Sequence, residues 1–258
     1  MGTQQLIFTA LPDVPIVQEG DDLSRLILNG LTLAEIDLQD GDVIVLAQKI
    51  VSKAEGRFRD LNQVQPSVDA LKLAEETGKD AHLAELILEE SRSVLRKRQD
   101  LIIVEHRLGF VCANAGIDHS NVTESEQQPE ERVLLLPLDP DATAARIQHE
   151  LESSTKVSLG ILIIDSHGRA WRMGTVGTCI GAAGFPTLLD LRGKPDIGGR
   201  TLQVTQVGLG DEIAAGASAL MGQADERRPI IHVRGLPYPL HPGTMNELLR
   251  PEEQDMFR

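Results

Sequence analysis

The run Val157-Ser158-Leu159-Gly160-Ile161-Leu162-Ile163-Ile164 constrains the fold more than any other segment, because it is apolar almost throughout and leads straight into Asp165. It reads as the strongest strand of the chain. Val43-Ile44-Val45-Leu46, entered through the turn Gly41-Asp42, reads as a second buried strand. The question for function is what polar chemistry these strands carry at their ends.

The remaining pattern mixes helices with strands. Leu6 to Phe8 is the first apolar run, and Leu101 to Val104, Phe110 to Ala113, Val133 to Leu136, Thr175 to Ile180, Leu202 to Val207 and Pro229 to Val233 have strand character. Leu23 to Leu31, Ala142 to Leu151 and Asp211 to Met221 have helical spacing. Ser67 is a candidate N-cap for a helix that ends at Gly78, and Asp80 opens a second helix with Leu83, Leu86, Ile87 and Val94 on its inner face. Leu11 to Glu19 and Ser125 to Glu131 read as turns or loops, and Asn246 to Arg258 as a short polar helix. No steady βαβ rhythm emerges, so the expected class is α+β, with mixed sheets and flanking helices rather than a Rossmann fold. No composition change divides the 258 residues, so they are treated as one unit with no visible internal boundary.

The formal net charge of -14 repels nucleic acid and anionic membranes, and aromatic residues at 3% leave few rings for stacking bases. An anionic substrate therefore calls for a local basic pocket or for metal ions held by carboxylates. Cys112 and Cys179 follow no zinc spacing and sit in apolar runs, as buried free thiols would. No secretion signal and no apolar stretch near the ~20 residues of a membrane span is visible, so a cytoplasmic location is expected.

Four polar segments lie just beyond apolar strands. In Ala113 to Asn121, Asp118 can bind a hard cation and Asn114 and Asn121 can add amide contacts, although on the segment alone a turn in which Asn and Asp bond their own backbone is the better reading. In Ile164 to Arg169, Asp165 stands where phosphoryl-transfer sites place a magnesium ligand; Ser166 offers a second oxygen, and Arg169 or Arg172 a fork for an anion. Asp165 paired with Arg169 in a turn is the alternative there. His167 has no partner at metal-ligand spacing and reads as solvated or hydrogen-bonded. In Gln48 to Arg57, Lys49 and Lys53 would share one face of a helix, apt for an anion or merely solvated, with Lys53 paired to Glu55. Leu220 to Arg228 reads as an exposed loop with backbone donors and carboxylates. GxxxxGK[ST], GxGxxG after a strand, GxSxG and HExxH are all absent, so any nucleotide is held without a P-loop.

Taken together and in order, these blocks resemble the coenzyme F420-0:L-glutamate ligase (F420 γ-glutamyl ligase) family. The matching stretches are Val14 to Leu23, Gly41 to Val43, Ser52-Lys53-Ala54-Glu55-Gly56-Arg57, Asn114-Ala115-Gly116-Ile117-Asp118 with Ser120-Asn121, Asp165 with Gly168-Arg169, Gly174 to Gly181, and Val233-Arg234-Gly235. The resemblance implies a two-part α+β fold assembled as a homodimer. It also implies GTP-dependent addition of L-glutamate to F420-0, using Mg2+ or Mn2+ at two sites and a monovalent cation such as K+.

By the same resemblance Asp118, Asp165, Ser166 and Gln223 are the expected metal ligands, with Lys53 joining the two aspartates in catalysis. Val14, Pro15, Ile16, Val17, Gln48, Lys49, Lys53, Asn121, Met221, Gly222, Gln223, Ala224, Asp225, Glu226, Arg227 and Arg228 are the expected GTP contacts. Some members have Ser-Thr in place of Gln48-Lys49, which bears on base preference. No C-terminal flavin-binding domain is expected. A related amide ligase acting on another phosphorylated acid or amino acid, and a nucleotide-binding regulator without turnover, are the competing readings.

Overall fold

A computed structural model describes residues 3–119 and 132–256. In chain order the elements are β1 (Ile7–Ala10), α1 (Leu23–Leu33), β2 (Val43–Ala47), α2 (Gln48–Ala54), β3 (Phe58–Asp60), α3 (Val68–Thr77), α4 (Ala81–Glu89), β4 (Ser91–Arg98), β5 (Leu101–His106), β6 (Val111–Ala113), β7 (Arg132–Leu134), α5 (Pro140–Thr155), β8 (Gly160–Arg169), β9 (Arg172–Ala183), β10 (Leu189–Asp190), β11 (Gln206–Val207), α6 (Leu209–Met221) and β12 (Ile230–Arg234).

The two leading apolar runs pair with each other. β2 and β8 lie side by side and parallel, in the register Ile44 to Ile161 and Ala47 to Ile164. They form the middle of a sheet ordered β1-β12-β2-β8-β9, whose other pairings are antiparallel. Both faces are covered. Leu23, Ile27 and Leu31 of α1, with Ala144, Ile147 and Leu151 of α5, pack with Ile44, Leu46, Ile161 and Ile163. Ile213, Ala214 and Ala217 of α6 pack with Val43, Val45, Leu162 and Ile164. Alternate residues of one strand thus feed opposite cores, as strand geometry requires. Gly177 lets α6 lie directly on β9, since a Cβ there would stand 2.4 Å from the Ala214 carbonyl oxygen.

A second sheet, β4-β5-β6, carries α3 and α4 on a core of its own around Ala70, Leu73, Ile87, Ile102 and Val104. The expected α+β class, with several sheets and flanking helices, is present, without a Rossmann arrangement.

The caps expected from sequence are in place: Ser67 Oγ accepts from Ala70 N at 3.2 Å, Gly78 closes α3 at φ 69°, and Asp80 accepts from His82 N and Leu83 N. Three expectations differ. The helix from Asp80 stops at Glu89, and Val94 lies in β4, because pairing with β5 overrides the local helical preference of a charged segment. Of Leu202 to Val207 only Gln206 and Val207 pair, against β10, and Val204 projects uncovered. The polar tail is two 3-10 turns, Met245–Leu248 and Glu252–Gln254, separated at Pro251, which cannot continue a helical hydrogen-bond ladder. Cys112 and Cys179 are buried free thiols, and burial raises both. Among the described residues no helix is long and apolar enough to cross a membrane.

Candidate active site

Because β2 and β8 are parallel and in register up to Ala47 and Ile164, Gln48 and Asp165 lie at the same level, where the pairing of the two strands ends. The ends of parallel strands in that position are held rigidly and stay open above, which suits a binding site.

Ala47 leads at once into α2, so Lys49 and Lys53 do share one helix. Gln48 is buried. Its Oε1 accepts from Ser52 Oγ at 2.9 Å, which turns its Nε2 toward Asp118 Oδ2 at 2.5 Å. Lys49 Nζ lies 3.4 Å from Asp118 Oδ1. Lys53 is nine-tenths buried on the same helix. Val17 is buried with Ile50 and Val51, and Gly20 N donates to Ala54 O at 2.9 Å; the Val14–Val17 segment therefore runs against α2, with Pro15 and Ile16 exposed.

Asp118 reaches this helix by way of a strained turn. Asn114, Ala115 and Gly116 are consecutive left-handed residues, at φ 50°, 54° and 66°. Such backbone persists only where its surroundings hold it. Ala115 is wholly buried, and a Cβ at Gly116 would meet Leu136 Cδ1 at 2.6 Å. Asn114 Oδ1 accepts from Ile102 N at 3.1 Å, so that oxygen braces the turn. Asp118 then exchanges two main-chain hydrogen bonds with Leu134, each 2.9 Å. Burial pushes its carboxyl up to about 6; Lys49 opposes the rise and the negative charge of Asp165 adds to it. Two mutually repelling carboxylates beside a lysine are a ready place for a cation.

Asp165 does not end its strand. β8 continues to Arg169 in a hairpin with β9, so Asp165 is a mid-strand residue facing Thr178. Its carboxylate lies 3.0 Å from His167 Nε2 and not on Arg169, which donates instead to the Gly174 carbonyl. His167 is buried rather than solvated.

Strand alternation turns Ser166 to the other face, opposite Gly177 and toward Ser218 of α6. Ser218 Oγ accepts from Gln223 Nε2 at 3.1 Å. Ser166 and Gln223 therefore flank Ser218, while Asp165 stands on the opposite face of its strand. The loop from Met221 to Arg228 leaves α6 at Gly222 and is exposed from Gln223 to Arg228; Glu226 closes it by accepting from Ala224 N at 2.8 Å. Asn121 and the Ser125 to Glu131 loop lie outside the described residues.

Several residues here carried no local signal. Arg57 Nη2 donates to both Glu90 oxygens at 3.0 Å, and Arg107 Nε to one at 2.9 Å. His106 stacks on Phe110 with centroids 5.2 Å apart, and Phe110 in turn touches His167 at the same distance. Glu55 accepts from Leu138 N at 2.9 Å and Thr143 Oγ1 at 2.7 Å and so ties α2 to α5. A cavity of about 320 Å3 beside it is lined by Asp21, Asp22, Glu55 and Glu150 with Arg146, an acidic wall unsuited to a triphosphate and separate from Asp118 and Asp165.

Among the described residues no three His, Cys, Asp or Glu side chains converge as a ready metal cage. The pair Asp118 and Asp165 still fits Mg2+ or Mn2+, which commonly take one or two carboxylates and fill the remaining positions with water and substrate phosphate. The repulsion between the two carboxylates, which adds to the effect of burial on Asp118, is what such an ion would offset.

The family described as F420-0:Gamma-glutamyl ligase matches residues 13–235. A coenzyme F420:L-glutamate ligase of Methanothermobacter thermautotrophicus is 46% identical, over 95% of this chain and 96% of its own. Proteins of the same name from Archaeoglobus fulgidus and Methanocaldococcus jannaschii are 40% and 39% identical, each over 95% of this chain and over 93% and 94% of their own lengths. With the match spanning nearly every element that builds the Asp118 and Asp165 site, the chain belongs to the F420-0:gamma-glutamyl ligase family.

Proposed function

We propose that this protein joins L-glutamate to F420-0 through an amide bond in coenzyme F420 biosynthesis, consuming GTP. The observation that carries the reading is the meeting of Asp118 with Gln48 and Lys49. It brings the Asn114 to Asp118 block against the helix that also carries Ser52-Lys53-Ala54, at one edge of the sheet. The relatives' name supplies the substrates.

An amide does not form from a free carboxylate in water, so the carboxylate must first be activated. The precursor carboxylate takes the γ-phosphoryl group of GTP, breaking the bond to GDP and forming an acyl phosphate. The α-amine of glutamate attacks the acyl carbon. Phosphate leaves with its electron pair, and the amine loses a proton. Phosphoryl transfer depends mainly on positioning and charge neutralisation.

Lys49 and Lys53 present cationic nitrogens to the phosphates, with Lys49 the more exposed and Lys53 held rigid by burial. Asp118 and Asp165 hold a divalent cation; Ser166 and Gln223, across the strand, suit a second. Such ions neutralise phosphate charge and hold two anionic substrates together in a protein of net charge -14. A monovalent ion such as K+ completes the set. Gln48 keeps Asp118 oriented rather than touching phosphate. Val14 to Val17 and the Met221–Arg228 loop are the places for the nucleotide.

A second copy of the chain is proposed as the cover for Trp171 and Met173, which stand 90% and 98% exposed at the tip of the β8–β9 hairpin.

Incubation with F420-0, glutamate and GTP tests the reading. GDP release should require both other substrates and be lost in Asp165→Asn. Normal GDP release by that variant contradicts it. Release without glutamate favours a different acceptor, and binding without turnover a regulatory role.

A further inference from the structure

We infer that His167 is a nitrogen ligand to the divalent cation at Asp165, which makes the site favour Mn2+ over Mg2+. The inference rests on the proposed cation at Asp165.

His167 and Asp165 are two residues apart on β8, so both side chains leave the same face of the strand. His167 is 9% exposed. Its Nε2 lies 3.0 Å from Asp165 Oδ2 yet makes no hydrogen bond, so the ring nitrogen is directed past the oxygen rather than at it. A buried polar atom without a hydrogen bond calls for a partner. The spacing is what one ion requires: two donors bound at right angles, each about 2.1 Å from the metal, stand about 3.0 Å apart. Phe110 packs on the imidazole with centroids 5.2 Å apart and planes at 48°, which holds the ring in that attitude. A plain ion pair would aim the N–H at the carboxylate; this geometry leaves both atoms free to face a third.

The chemical class of the ion follows from the donor set. Mg2+ takes oxygen ligands and keeps its waters, whereas first-row transition ions accept imidazole nitrogen. An imidazole nitrogen added to carboxylate, phosphate and water oxygens therefore favours Mn2+, a first-row transition ion, over Mg2+. Ser166 faces away and cannot supply the second donor on this side.

The test loads the full-length protein with Mn2+ and GTP and records pulsed electron paramagnetic resonance. Coupling to 14N is expected in the wild type and absent in His167→Leu. Growth on 15N-histidine should convert the 14N pattern to that of 15N, a check that needs no variant. Displacement titrations should show Mn2+ affinity falling about tenfold or more in His167→Leu, with Mg2+ affinity unchanged. Bound Mn2+ without nitrogen coupling, or coupling that persists in His167→Leu, overturns this inference and leaves a cation at Asp165 standing. Failure of the wild type to bind Mn2+ or Mg2+ overturns both.

Discussion

Gln48 and Asp118, 70 positions apart in sequence, meet at 2.5 Å, side-chain amide nitrogen to carboxylate oxygen. Ser52 holds the other end of the amide, so the oxygen and nitrogen of Gln48 are both committed. This link is what makes the helix after β2 and the turn before β7 into one site. Gln48→Glu replaces the donor with a second carboxylate. It should destabilise the protein by roughly 1–3 kcal/mol and sharply lower ligation, read by thermal melts and GDP release. A variant with normal melting and normal turnover would show that the link is incidental.

Lys49 is a third exposed and can be removed without leaving a void. Lys49→Met should keep the fold and raise KM for GTP by about tenfold, equivalent to about 1.4 kcal/mol. Steady-state kinetics with GTP as the varied substrate check this; an unchanged KM would move the phosphates elsewhere.

Gly116 adopts φ 66° with Leu136 pressed against it. Gly116→Ala meets both a left-handed backbone and a clash at 2.6 Å. It should cost about 1–3 kcal/mol, lower the melting temperature by several degrees and reduce activity by displacing Asp118. Gly168→Ala, on β8 with open space at its Cβ, is the control and should melt near the wild-type temperature.

Glu90 gives the pH dependence. Burial alone would raise its carboxyl, but His106, Arg107 and Arg57 outweigh that and hold it at about 2, against an ordinary 4.5. A carboxylate depressed in the folded state stabilises fully above its unfolded value and loses that contribution as pH falls toward the folded one. The wild type should therefore weaken between pH 4.5 and about 2. Glu90→Gln leaves Arg57 and Arg107 without their carboxylate and should be about 3 kcal/mol less stable at pH 7. The gap should narrow as pH approaches 2. Urea midpoints at neutral and acid pH would reveal a constant gap if the account is wrong.

The parts of this architecture that depend on local chemistry were readable from the chain. Ser67, Gly78 and Asp80 cap helices because their side chains or backbone freedom act on adjacent residues. Val43 to Leu46 declared itself as a buried strand, and so did Val157 to Ile164 from Gly160 onward, while Val157 to Leu159 stay outside the sheet. Ser91 to Arg98 did not, because its strand state is conferred by β5, a partner that no local pattern of charged residues announces. Asp165 looked like a strand end because apolar character stops at Ile164; hydrogen bonding to β9 carries the strand four residues further. Asp118 was visible as a candidate, but Gln48 as its partner was not, since they meet only when the exit of β2 and the turn after β6 converge. His167 is the plainest case, because it is buried against Phe110, a ring far away in sequence.

Ligation of glutamate to F420-0 is proposed to pass through an acyl phosphate made from GTP. Oxygen-18 in the F420-0 carboxylate tests it most directly, because the oxygen that attacks GTP must leave with phosphate when the amine attacks. With unlabelled GTP and glutamate, each amide formed should release one phosphate carrying one heavy oxygen. Amide formed with unlabelled phosphate, or no amide at all, would contradict the account.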